Sequence, residues 1–104
     1  MNRLTILDTI GDTPLVELQH LSPNPAVRLF AKLEGSNPTG SIKDRVAKAI
    51  VEKAEQEGLI HPGMALVEAS TGNMALSLAL VSKQKGYHLT IVCLLYTSPS
   101  PRDA

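Results

Sequence analysis

Two loops of similar design constrain this chain more than any other feature, because each leads from a predicted strand into a predicted helix. The first reads Pro-Thr-Gly-Ser-Ile-Lys-Asp-Arg over residues 38–45, and the second reads Ser-Thr-Gly-Asn over residues 70–73. Lys43 falls in the first turn of its helix, where the positive end of the helix dipole disfavours a cation by roughly 0.3–1 kcal/mol. Such a lysine invites a chemical explanation, and the obvious one is an amine kept partly neutral so that it can form a Schiff base.

The composition of the 104 residues allows one small globular domain with an aliphatic core. Ten Lys plus Arg balance ten Asp plus Glu and are scattered, so no basic patch indicates nucleic acid or an anionic membrane surface as a partner. The single cysteine and the three histidines show no zinc-like spacing, which predicts no metal site and fits a reducing, cytoplasmic setting. Without a secretory signal pattern or an apolar run of about 20 residues, we expect a soluble protein with small-molecule or protein partners.

The hydrophobic pattern predicts strands that alternate with helices. We expect strands at residues 15–18, about 27–34, 64–69 and from about 88 to 92, and helices over roughly 42–57 and 74–85. Short connections and right-handed crossovers turn this order into an α/β fold, an open parallel sheet with flanking helices. Because ligands bind at the carboxyl ends of strands in such sheets, Lys43 and Asn73 are expected at one rim of one sheet.

Helix capping offers a plainer use for several polar residues of the two loops. Ser41 is a candidate N-cap with Asp44 three residues later, close to a capping box. Either hydroxyl of the second loop is a candidate cap for the second helix. Glu34, Asp44 and Arg45 are interpreted as residues that fix the loop and cap the helix rather than as catalytic acids or a carboxylate clamp. The frame Gly-x-x-x-x-Gly over residues 35–40 is not a P-loop, because two residues separate its second glycine from the lysine.

The last twelve residues break the α/β pattern. Residues 93–104 end in a Ser/Pro-rich tail without periodicity, where the fold needs another loop and helix. The sequence therefore predicts a domain over residues 1–92 and a tail over residues 93–104. We interpret this tail as an artefact that resembles a translated sequencing adapter, and we leave it out of fold reasoning.

Three motifs, taken together, resemble a known family. They are Gly-Asp-Thr-Pro-Leu-Val at residues 11–16, Lys-Leu-Glu-Gly-x-Asn-Pro-Thr-Gly-Ser-Ile-Lys-Asp-Arg at 32–45, and Glu-Ala-Ser-Thr-Gly-Asn at 68–73. In order and spacing they resemble the cysteine synthase (O-acetylserine sulfhydrylase) and cystathionine β-synthase family of pyridoxal 5'-phosphate (PLP) enzymes. The resemblance covers residues 6–92 and implies the N-terminal part of a fold type II PLP enzyme.

The resemblance also implies roles for the residues of the two loops. Lys43 would form the Schiff base with PLP and move the α-proton of the substrate. Asn73 would hydrogen-bond the ring hydroxyl oxygen of PLP. Ser70, Thr71, Gly72 and Asn73 would bind the carboxylate of the amino-acid substrate at a helix N-terminus, which favours anions.

For the full-length protein the implied reaction is β-replacement of O-acetylserine by sulfide to give cysteine and acetate, in a homodimer. Family members carry a glycine-rich phosphate loop and a partner for the pyridine nitrogen farther downstream. We therefore expect the 104-residue chain by itself to be inactive and to expose apolar helix faces.

Two departures from the family pattern leave the substrate open. Met74 and Ala75 stand where sulfhydrylases usually have Thr and then Gly, whereas Ile42 and the following Lys-Asp-Arg favour the synthase branch. A cystathionine β-synthase or a serine/threonine dehydratase-like lyase is the nearest alternative. A non-catalytic α/β module that binds an anion at its helix N-termini is the alternative from another class.

Overall fold

The computed structural model describes residues 3–93, which form four strands and two α-helices. The elements are β1 (Leu15–Glu17), β2 (Phe30–Lys32), α1 (Lys43–Gln56), β3 (Ala65–Ala69), α2 (Asn73–Lys85) and β4 (His88–Val92). Both helices and the last two strands begin and end within one residue of the predicted bounds. Neither helix in this part of the chain is long and apolar enough to cross a membrane. The tail over residues 94–104 lies outside the described residues, so the predicted boundary at residue 93 stays a prediction.

The C-terminal half forms a parallel strand–helix–strand unit. Strands β3 and β4 pair in parallel, with Ala65 opposite His88 and Ala69 opposite Val92. The helix α2 is the crossover between them, as parallel pairing requires. The ladder extends one step further, because the Ser70 N–H donates to the Val92 carbonyl at 3.3 Å. The predicted α/β class is therefore confirmed in a sheet of two strands.

The first two strands do not join that sheet, and here the prediction was wrong. Strand β2 is three residues long instead of eight, and it pairs antiparallel with β1, with Val16 opposite Ala31. The connection between them holds no helix, and consecutive strands without a crossover pair antiparallel. The pairing continues one residue beyond the two strands, because the Leu33 N–H donates to the Pro14 carbonyl at 2.9 Å.

The core lies between the two helices and the parallel strands. Its buried side chains come from α1, α2 and the start of β4: Ala47, Val51, Leu78, Val81 and Tyr87. The other half of the apolar face predicted for α1 remains in solvent, since Ile50 is 53% exposed. On the outer face of the parallel sheet Val67 is 71% exposed. Parallel sheets are normally covered on both faces, so this sheet face is exposed apolar surface in addition to the helix faces expected from the sequence.

Candidate functional site

Helix α1 begins at Lys43, and its side chain is exposed. The N-cap residue is Ile42, which has helical angles and provides no side-chain cap, so the N-cap predicted at Ser41 was wrong by one residue. The Ser41 hydroxyl still accepts the Lys43 N–H at 3.2 Å. Within residues 3–93 the Lys43 ammonium group makes no hydrogen bond or ion pair, which leaves it available to a ligand.

Asp44 is fully buried and does not close a capping box. Its carboxylate accepts the Thr39 N–H at 2.8 Å and the Thr39 hydroxyl at 2.5 Å, so it binds the loop that leads into α1. It also accepts the Ser77 hydroxyl of α2 at 2.6 Å. The prediction that Asp44 caps the helix together with Ser41 was wrong, because the carboxylate is turned inward to these groups.

The contact between Asp44 and Ser77 brings the two predicted loops side by side. Ser77 follows Asn73 by four residues, so the two residues share one face of α2 one turn apart. Asp44 directly follows Lys43. The lysine loop therefore contacts α2 one turn after the Ser-Thr-Gly-Asn loop, and both loops lie at the same end of the helix pair, although the lysine loop does not leave a strand of the same sheet as expected.

Gly72 shapes the second loop. It is the N-cap residue of α2, with φ 72° and ψ −136°, a conformation that side chains strongly disfavour. Neither Ser70 nor Thr71 caps α2, so that prediction was wrong. A Cβ at Gly72 would meet nothing within 4 Å, which means that open space lies beside the start of the helix.

The start of α2 is free to bind an anion. In the part of the chain that the structure describes, the N–H groups of residues 73–75 have no acceptor, because α2 has no side-chain cap. Asn73 and Thr71 are exposed, and Ser70 is half-buried. A concavity of about 350 Å³ at the carboxyl ends of β3 and β4 is lined by Ser70, Thr71, Ala69 and Val92. Neither Lys43 nor Asn73 lines it.

A second polar network holds the lysine loop against the first turn of the chain. The Arg45 guanidinium donates to Glu34 at 2.6 Å, and the Thr13 hydroxyl donates to Glu34 at 2.5 Å. The Gly11 N–H donates to the Asn37 side-chain oxygen at 2.8 Å. Arg45, and then Thr13, lower the pKa of Glu34 from 4.5 to about 2. Glu34 and Arg45 therefore fix the loop, as interpreted from the sequence.

Three partners in these networks were not predicted from the sequence: Thr13, Asn37 and Ser77. All three side chains are buried and hydrogen-bonded. Thr13 and Asn37 fall inside two of the quoted motifs, and this position could have indicated their roles. For Ser77 the indication is weaker, because it is only a small polar residue one turn after Asn73 on a helix that is otherwise rich in Ala and Leu.

Other concave surface in the described residues does not belong to this site. A depression of about 590 Å³ lies at the loop end of the β1–β2 hairpin, and its lining includes Leu18, His20, Pro25 and Leu29. None of the predicted site residues contributes to it. The three histidines are exposed.

The chain belongs to the family described as "Pyridoxal-phosphate dependent enzyme", whose sequence model matches residues 6–103. Cysteine synthase B of Pseudomonas syringae pv. syringae is 47% identical over 88 residues, which are 85% of this chain and 52% of that relative. O-ureido-L-serine synthase of Streptomyces lavendulae is 44% identical over 88 residues, 85% of this chain and 27% of the relative.

Solved structures match the fold at similar identity. A crystal structure of O-ureido-L-serine synthase aligns with a TM-score of 0.83 and 40% identity, covering 99% of this chain and 32% of that chain. Cystathionine β-synthase from Bacillus anthracis aligns with a TM-score of 0.72 and 39% identity, covering 88% of this chain and 35% of that chain. The fold is therefore that of the N-terminal part of these enzymes, and this chain spans between a quarter and about half of these four relatives.

Proposed function

We propose that the full-length protein is a PLP-dependent β-replacement enzyme of the cysteine synthase type, with Lys43 as the residue that bonds the cofactor. One observation carries the proposal. Among the described residues, the unpaired amine of Lys43 and the uncapped start of α2 lie at the same end of two helices that are joined there by Asp44 and Ser77. An aldehyde cofactor needs an amine to bond, and an amino-acid substrate needs a site for its carboxylate. Both kinds of group are at this end of the helix pair.

The residues of the two loops fit PLP by their chemistry. When bound, PLP supplies an aldehyde that reacts with amines and a ring that stabilises negative charge at the α-carbon of the substrate. The Lys43 amine is exposed and can bond the aldehyde and exchange a proton. Asn73 is exposed at the first position of α2, and its amide can donate to the ring oxygen of PLP.

The second loop would hold the carboxylate of the substrate. The backbone N–H groups at the start of α2 attract an anion, and the hydroxyls of Ser70 and Thr71 are not used to cap the helix. The open space beside Gly72 leaves room for a ligand to approach the backbone. We propose that Ser70, Thr71, Gly72 and Asn73 together bind the carboxylate.

The substrates we propose are O-acetylserine and sulfide. Relatives named as cysteine synthase B support this choice, although other relatives at similar identity are named O-ureido-L-serine synthase and N-(2-amino-2-carboxyethyl)-L-glutamate synthase. Met74, which stands where the expected Thr is missing, packs its side chain against the core. Turnover of the full-length enzyme with sulfide and with homocysteine separates cysteine formation from cystathionine formation, and release of pyruvate alone would contradict β-replacement.

Reductive trapping tests the class of enzyme. The full-length protein is incubated with PLP and reduced with borohydride, and the modified residue is identified by mass spectrometry. We expect a pyridoxyl adduct on Lys43 that is lost in Lys43→Ala and kept in Lys53→Ala, an exposed lysine of the same helix. If no adduct forms on Lys43, the non-catalytic anion-binding module becomes the better description. A homodimer and a cytoplasmic location for the full-length protein are part of the same proposal.

A further inference from the structure

The buried hydrogen bonds of Asp44 join three segments that the proposed function needs in one arrangement. They bind Thr39 in the loop before α1 and Ser77 in α2, and Asp44 itself lies in the first turn of α1. Ser77 lies one helical turn from Asn73, and Asp44 lies one residue from Lys43. We infer that Asp44 and Ser77 form a positioning latch, which sets the Lys43 amine relative to the Asn73 amide. The inference rests on the proposed function.

Burial makes this contact directional and hard to replace with water. Asp44 and Ser77 both have 0% exposure, so no solvent competes for the carboxylate or the hydroxyl. The Ser77 hydroxyl is also 3.4 Å from the Thr39 hydroxyl, so the three side chains form one cluster. Removing the Ser77 hydroxyl leaves the buried Asp44 carboxylate with an unused acceptor, and the lysine loop loses its side-chain hydrogen bonds to α2.

The groups that donate hydrogen bonds to the Asp44 carboxylate are neutral. Thr39 and Ser77 supply hydroxyls and an amide, and none of the ion pairs within residues 3–93 includes Asp44. The position of Asp44 in the first turn of α1 favours a negative group through the helix dipole. Of the two basic residues beside Asp44, Arg45 pairs with Glu34, and Lys43 has no ion pair within the described residues.

Helix α2 contains a matched control for the Ser77 hydroxyl. Ser82 is also buried, with 1% exposure, but its hydroxyl has no hydrogen-bond partner among the described residues. Ser77→Ala and Ser82→Ala therefore remove the same atom from buried positions on the same helix, and Ser77→Ala alone breaks the latch. Asp44→Asn is a conservative variant, because the amide oxygen can accept the Thr39 N–H while its NH₂ group donates to hydroxyls that rotate to accept.

The kinetic test uses the full-length PLP-loaded enzyme. In a single turnover without sulfide, the reaction of the amino-acid substrate is followed by the absorbance change of the bound cofactor. We expect Ser77→Ala to slow this step about tenfold or more, since small displacements of reacting groups cost large factors in rate. In separate steady-state assays, kcat/KM for sulfide should be unchanged, because sulfide reacts only after this step. Asp44→Asn should keep most of the rate, and Ser82→Ala should match the wild type within about twofold. Equal rates in Ser77→Ala and Ser82→Ala would overturn the latch.

A second measurement does not depend on activity. In the cofactor-free full-length protein, hydrogen exchange at the Thr39 N–H and at the Leu76 N–H, which donates to the Gly72 carbonyl at 3.4 Å, should be faster in Ser77→Ala and unchanged in Ser82→Ala. Thr39→Val, which removes the other hydroxyl, should give the same pattern if Ser77→Ala fails to fold. Unchanged exchange in these variants would contradict the latch. Absence of the Lys43 adduct in the wild type would instead contradict the proposed function, so the two failures are distinguishable.

Discussion

The two ends of the α1–α2 helix pair are held together in different ways. At the N-terminal end, Asp44 is fully buried and binds neutral donors of Thr39 and Ser77. At the C-terminal end, the Glu55 side chain is 24% exposed and binds the Lys85 ammonium at 2.8 Å and the Tyr87 hydroxyl at 2.7 Å. Because these contacts join start to start and end to end, the two helices run in the same direction.

The difference follows from the charge that each end of the helix pair favours. Parallel helices bring their two positive dipole ends together beside Lys43, where an anion is favoured and a further cation would compete for it. A buried carboxylate with neutral donors joins the helices there without adding a cation. At the far end the dipoles favour positive charge, so Lys85 can pair with Glu55, and it lowers the pKa of that carboxyl. The chain therefore has a dry polar latch at the candidate site and a partly exposed ion pair away from it.

The largest expected effect comes from removing each carboxylate in turn. In the full-length protein, Asp44→Ala leaves the buried Ser77 hydroxyl and the half-buried Thr39 donors unpaired and should lower the free energy of unfolding by about 3 kcal/mol. Glu55→Ala should lower it by about 1 kcal/mol, because solvent replaces part of the lost contacts. Urea unfolding of both variants measures the difference. Equal losses would show that burial does not distinguish the two ends.

The two ends of α2 allow a second comparison, at glycine. Gly72→Ala forces a side chain into φ 72° and ψ −136° and should cost about 2–3 kcal/mol, although the added Cβ meets no atom. Gly86→Ala is placed in the left-handed helical region at φ 84° and ψ 28° and should cost about 1 kcal/mol. Only Gly72→Ala should also weaken PLP retention. A larger loss of unfolding free energy and of PLP retention in Gly86→Ala than in Gly72→Ala would exclude backbone strain at Gly72 as the cause of these losses.

Acid should loosen the candidate-site end. In the folded chain the pKa of Glu34 is lowered from 4.5 to about 2, mainly by Arg45, so its stabilising contribution is present above pH 4.5. That contribution is lost as the pH falls from 4.5 towards 2, when the folded protein also takes up the proton. Unfolding midpoints measured across this range should decline in the wild type and decline less in Glu34→Gln. A slope that Glu34→Gln does not reduce would mean that other carboxyls cause the acid loss.

High pH should destabilise the C-terminal end of the helix pair, and this is the smallest of the four expected effects. Burial, and then the Glu55 carboxylate, raise the pKa of Tyr87 from 10.0 to about 12. A raised pKa stabilises the folded state below pH 10, and the contribution is lost as the pH rises from 10 to 12. Tyr87→Phe should be less stable than the wild type at pH 7 and should show a shallower decline over that range, measured by the unfolding midpoint. An unaltered decline would exclude Tyr87 as the titrating group.

Local patterns were sufficient to predict most of the elements. The apolar spacing and Gly86 gave α2 to within one residue, and the apolar runs of β3 and β4 gave both parallel strands. The motif resemblance led to the family that the comparison with known sequences shows. These features depend on side-chain periodicity and on short segments, which are written directly in the chain.

Pairing partners and buried polar contacts were not predictable in this way. The alternation over residues 27–34 indicated a strand but not its partner, and its antiparallel pairing with β1 follows from a connection that holds no crossover helix. Asp44 looked like a helix cap from its spacing to Ser41, yet its carboxylate binds Ser77, which is 33 residues away. Contacts over such separations depend on how the elements pack and not on local spacing.

The sequence alone determined the α/β class, the bounds of the helices and the identity of the two loops, because periodicity and turn residues act locally. Only the tertiary structure decided that Asp44 and Ser77 join the two helices at their starts, that Gly72 rather than a hydroxyl residue is the N-cap of α2, and that two separate pairs of strands form. The physical reason is that a buried polar group takes whichever partner the packing brings within hydrogen-bond distance. That partner is chosen by the arrangement of helices in space, which no single segment specifies.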